Sequence, residues 1–176
     1  MTALRYNNLP ADHSACTSET PSSPSWQRLS QFFAVVVLAS LVVNEIWEMA
    51  QMSAYIDTAR HSWSSTLTLC TRATVGDVGI VVGIYAMGVL ATGDPSWGLH
   101  ARWNMYATTA VLGLAYATLV EHAALAAGRW SYSEQMPLVP WLNAGLWPLL
   151  QMMLLPPLTF WIARWWDGRC STKGAL

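Results

Sequence analysis

Four apolar runs dominate this chain, at about residues 31–55, 73–91, 103–122 and 141–165. Each is close to the length that a bilayer dictates, because a hydrocarbon core about 30 Å thick takes roughly 20 apolar residues of α-helix to cross. Hydrocarbon offers backbone N–H and C=O groups no partner, so such runs must satisfy themselves internally. The expected fold is therefore all-α: a polytopic membrane protein, a four-helix transmembrane bundle with a disordered N-terminal tail. Its expected divisions are a tail over 1–27, a four-span domain over 28–166 and a C-terminal tail over 167–176.

Composition agrees with this and narrows the function. Charged residues make up 11% of the chain, against about 25% in soluble domains. The net charge of −1 leaves no basic surface for nucleic acid, so none is expected as a partner; membrane lipids are. Eleven tryptophans suit belts at the membrane–water boundary. The three cysteines, Cys16, Cys70 and Cys170, form no CxxC or Cys/His cluster. No disulfide, metal site or cofactor is expected. The first 25 residues are polar and aperiodic, and no small-residue cleavage site follows the first run, so that run is expected to be retained.

The apolar runs are interrupted by ionisable groups, and their spacing carries the functional reading. In the first, Asn44, Glu48, Gln51 and Tyr55 fall on one face at about 100° per residue, with Glu45 beside them. Asp77 stands near the start of the second, next to a stripe of Gly76, Gly79 and Gly83 that permits close helix approach. Glu121 and His122 end the third. The linker that follows carries Arg129, Trp130, Tyr132 and Trp141, and the fourth run brings Asn143 and Gln151. Pro148, Pro156 and Pro157 predict a kink there.

Four spans place both termini on one side. Arg5, Arg28, Arg102, Arg164, Arg169 and Lys173 then share that side, and Arg60, Arg72 and Arg129 lie opposite. The excess predicts cytoplasmic termini. It also sets the intramembrane polar residues at one depth, near the non-cytoplasmic face. Charge in hydrocarbon is costly, so such a set is a candidate site. The expected acid–base groups are Glu48, Asp77, Glu121 and His122. Glu45, Gln51, Tyr55, Arg129, Trp130, Tyr132, Asn143 and Gln151 are the expected substrate contacts. Carboxyls crowded at one depth cannot all ionise cheaply, so at least one is expected to keep its proton at neutral pH.

The segments WEMAQMSAY, TVGDVGI, GRWSYSEQMP and GLWPLLQ resemble a family of small bacterial integral membrane proteins that has no established activity. An acidic helix end followed by G-x-W-x-Y and a Pro-rich turn is also loosely similar to membrane-embedded carotenoid and terpene cyclases. Those enzymes use carboxylates to protonate an olefin; where they carry an acidic pair in the last helix, this chain has Gln151. The first resemblance implies a bacterial inner-membrane protein, and the common depth of the carboxyls makes the expected activity acid–base chemistry on a lipid or isoprenoid. The alternatives are an accessory subunit of a membrane protein complex, with a protein partner, and a small-molecule carrier.

Overall fold

The computed structural model describes residues 24–55 and 62–173, the last three by their backbone alone. Most of the expected N-terminal tail, including Arg5 and Cys16, lies outside the described residues, as do Arg60 and His61. The chain is an all-α bundle of four long helices: α1 (Trp26–Gln51), α2 (Trp63–Thr92), α3 (Trp103–Ala126) and α4 (Leu146–Lys173). Each is long and apolar enough to cross a membrane. A short hairpin of β1 (Leu138–Val139) and β2 (Ala144–Gly145) precedes α4.

Each of the four helices outruns its expected span at one end or both. The Ser25 side chain accepts from the Arg28 N–H at 3.3 Å, so α1 begins at Trp26, inside the expected tail. Ser62 caps α2 in the same way at 3.4 Å. The polar stretch after it continues as helix, with Thr68 donating to the Ser64 carbonyl at 2.9 Å. The expected C-terminal tail is helical as far as Lys173. There Asp167 accepts a forked pair from Arg28, at 2.8 and 2.7 Å, and Arg169 lies 3.7 Å from the centre of the Trp165 ring. The Arg28–Asp167 pair joins the first helix's start to the last helix's end.

The bundle is inverted relative to a water-soluble one. The buried stripe of α1 reads Phe32, Val36, Ser40, Asn44, Glu48 and Gln51, while Leu38, Val42 and Ile46 point outward. Thr74, Thr109, Glu121, Gln151 and Thr159 are likewise buried, and Leu90, Val111 and Leu119 are exposed. An apolar exterior with a polar interior suits hydrocarbon as solvent. α1 and α4 form the central pair; α2 packs mainly on α1 and α3 on α4, with little contact between α2 and α3. At the end where α1 starts, Phe32, Val81, Trp97 and Phe160 form an apolar core.

The close approach of α3 to α4 has a definite cause. Pro156 has no N–H, so the Met152 carbonyl, four residues earlier, loses its helical donor. Gly113 of α3 sits directly against that carbonyl: a Cβ there would lie 1.8 Å from the Met152 oxygen. Gly76, Gly79 and Gly83, expected to mediate helix contact, instead have nothing among the described residues within 4 Å of a Cβ position; their stripe faces outward because α2 turns its other side to α1.

Gly113→Ala is therefore expected to push α3 off α4 and cost about 1–3 kcal/mol, the usual range for overpacking. Gly79→Ala, on the open stripe, is expected to stay within roughly 0.5 kcal/mol. Thermal unfolding in detergent reads the difference, and equal losses at the two positions would contradict the packing.

Candidate functional site

The site lies where α1 and α3 end and α4 begins, with its centre on one glutamine. Gln151 stands on the second turn of α4 and is 2% exposed. Its side-chain N–H group donates to Asp77 Oδ2 on α2 at 2.8 Å and to Asn44 Oδ1 on α1 at 3.1 Å. Its carbonyl oxygen accepts from Gln51 Nε2 at 3.0 Å. Gln51 also donates to Glu48 Oε1 at 2.8 Å and accepts from Trp47 Nε1 at 3.2 Å. The Asn44 amide donates to the carbonyl and hydroxyl of Ser40, at 2.8 and 3.1 Å. The carboxyls of Glu48 and Asp77 are thus joined through the bonded pair Gln51 and Gln151.

The helical period explains why α1 can supply three members of this network. Asn44, Glu48 and Gln51 are four and three residues apart, so they stack on one face. Thr74, one turn before Asp77, keeps a buried hydroxyl with no partner among the described residues.

Glu121 belongs to a second, adjoining group. Its Oε2 accepts from Tyr132 Oη in a short bond and from Trp130 Nε1 at 3.4 Å. The Tyr132 oxygen also accepts from the Gly145 N–H at 2.9 Å. Burial first, and then the bond to Glu121, push the Tyr132 phenol above its usual range, so it stays a donor. The Tyr55 ring contacts both aromatics, edge-on to Trp130 at 6.4 Å and tilted to Tyr132 at 5.9 Å. It is also close enough to feel the carboxyls of Glu121, Glu48 and Asp77. Tyr55 therefore links the two groups.

The segment 130–136 covers this end of the bundle. Tyr55 and Tyr132 form an isolated antiparallel bridge. The Ser133 N–H donates to the Ala54 carbonyl at 2.9 Å and its hydroxyl to the Ser53 carbonyl at 3.0 Å. The chain enters the segment through a left-handed Gly128 (φ 64°), with Arg129 N–H returning to the Ala124 carbonyl at 3.0 Å and Gly128 N–H to Leu125 at 3.1 Å. This is a Schellman ending to α3.

Four of the expected residues are placed elsewhere. His122 is exposed and its Nε2 meets the Leu142 carbonyl, so it braces the hairpin rather than the carboxyls. Asn143 is not in the fourth helix; it is the exposed turn residue of the hairpin, at φ 45°, a conformation that asparagine tolerates better than most. Arg129 is exposed, and its backbone serves the cap. Glu45 is half-buried beside the network and accepts from Thr71 at 3.3 Å. In the other direction, Asn44 and Trp47 belong to the network. The 44–48–51 spacing signals Asn44, and Trp47 stands four residues before Gln51, the helical spacing of its bond.

Among the described residues, no three of His, Cys, Asp and Glu gather as a metal-binding group. The chain matches no family model, no curated protein and no solved structure, and the chemistry is read from its side chains.

Gln151→Leu is expected to cost about 1–3 kcal/mol, because it strands buried polar groups on both α1 and α2. A single interhelical bond in a membrane averages only about 0.6 kcal/mol, so the stranded partners set the scale. Gln151→Leu with wild-type thermal stability in detergent would show that Gln151 does not hold the helices together.

Proposed function

We propose that the chain is a bacterial inner-membrane protein whose Glu48–Asp77 pair performs acid–base chemistry on a lipid or isoprenoid. One observation carries this reading. Two carboxyls from different helices are held inside the span by two glutamine amides that are bonded to each other. A protonated carboxyl beside an ionised one is a complete acid–base pair. The acid would give its proton to one carbon of an olefin, and the base would take a proton from a carbon adjacent to the resulting cation. The double bond moves, no electrons are gained or lost, and no cofactor is required. Gln51 and Gln151 position the pair, and Glu121 with Trp130, Tyr132 and Tyr55 forms its aromatic cover.

Access from the bilayer is supported by Asp77 being half-buried and by the open face of Gly76 and Gly79 beside it. The orientation is supported by charge: among the described cationic residues Arg28, Arg102, Arg164, Arg169 and Lys173 belong to the end with the termini, and Arg72 and Arg129 to the other half. This favours cytoplasmic termini and a site near the non-cytoplasmic face.

A second reading, an accessory subunit of a membrane complex, draws on the same glycine stripe, against which none of the described residues packs. Purification in mild detergent separates the two: a stoichiometric protein partner favours the subunit, and a lone chain holding a lipid favours the enzyme.

If the pair is catalytic, Glu48→Gln and Asp77→Asn each lower turnover by roughly 10²–10⁴-fold, the usual worth of a positioned acid or base. The cell's lipid and isoprenoid profile should then change in both variants and not in Glu45→Gln. In the infrared, a protonated carboxyl band should disappear in one of the two. An unchanged profile in both variants, at normal protein levels, rules the proposal out.

A further inference from the structure

At the opposite end of the bundle, a groove of about 490 Å³ is lined by Tyr106 of α3 and by Trp161, Arg164, Trp165, Gly168 and Arg169 of α4. We propose that this groove binds the phosphodiester headgroup of an anionic glycerophospholipid. Four observations point there. Two arginines line one groove, and guanidinium groups match phosphate geometry with paired donors. Arg164 is oriented, since its Nη1 donates to the Ala101 carbonyl at the start of α3. Arg169 is held over the Trp165 ring at 3.7 Å. The Tyr106 hydroxyl is buried without a partner among the described residues, and a phosphate oxygen would accept from it.

Charge nearby does not oppose an anion. Asp167, the acidic neighbour on α4, is neutralised by its forked bonds to Arg28. The start of α3 has no side-chain cap, so its positive dipole end adds to the field at that level.

The groove's position decides between a lipid and a free anion. Trp26, Trp103, Trp161, Trp165 and Trp166 are all exposed at this end, the arrangement of an interfacial belt at headgroup depth. Basic pockets between transmembrane helices at that depth suit anionic headgroups. Trp161, 54% exposed, offers its ring to an acyl chain, which free phosphate lacks.

The test uses the full-length protein in nanodiscs of phosphatidylcholine doped with phosphatidylglycerol, with lipid retention read by native mass spectrometry. Phosphatidylglycerol is expected to be retained selectively. An arginine near an anionic surface contributes about 1 kcal/mol, so the Arg164→Gln/Arg169→Gln pair should weaken retention on the order of thirtyfold. Arg129→Gln, at the other end, should not alter it. Should loss of the Arg164–Ala101 bond prevent folding, Arg169→Gln with Tyr106→Phe carries the test, since both changes leave that bond in place. Inorganic phosphate is expected not to displace the lipid. Equal retention of the two lipids overturns the proposal, as does undiminished retention in the folded variants. Displacement by phosphate at lipid-like concentration overturns the lipid assignment.

Discussion

Three helices meet through the Gln151 amide. Its N–H group reaches Asp77 on α2 and Asn44 on α1, and its oxygen receives Gln51. In water such bonds would compete with solvent and contribute little. In hydrocarbon no competitor exists, and a polar group with no partner is costly. That asymmetry orders the whole bundle. It turns the polar stripes of α1 and α4 inward, leaves leucine and valine outside, and makes the register between helices depend on a few side chains rather than on apolar shape.

The bundle's second constraint comes from the prolines of α4. Pro156 and Pro157 remove two helical donors, a defect in any helix interior. Here the Met152 carbonyl so freed becomes the surface on which Gly113 rests. A side chain at Gly113 would hold the backbones apart. The proline and the glycine are therefore one feature written on two helices, and they fix α3 against α4 near the depth of Gln151.

How far the sequence discloses this structure depends on the range of the interaction. The 100° rotation per residue makes Asn44, Glu48 and Gln51 legible as one face, and the alternating direction of four spans places Asp77, Glu121 and Gln151 at a common depth. The rule also warns against His122, because adjacent residues on a helix point apart; its bond to Leu142 depends on a hairpin twenty residues away in the chain. Asn143 looks like a polar intruder in an apolar span until the pairing of Leu138 with Gly145 makes it a turn. The continuation of α4 beyond Trp165 follows from the pairing of Asp167 with Arg28, 139 residues away. Local period is visible in a sequence; long-range partners are not. That is why the helices and their polar faces can be read from it, while the division of the site into two groups cannot.

The cover over the site also completes a helix. The chain leaves α1 through a single 3-10 turn over Met52–Ala54, and the Ser53 and Ala54 carbonyls there are taken by Ser133. The same segment carries Trp130 and Tyr132 to Glu121. Movement of the cover would thus release two carbonyls at the end of α1 and two donors from Glu121 together, less than two turns beyond Glu48. The acid–base pair and its cover are mechanically one unit. Its anchor on the cover side is Tyr132, whose oxygen donates to Glu121 and accepts from the Gly145 N–H at the foot of α4. Gln151 stands less than two turns further along that helix, so the two polar groups are held in one register by α4.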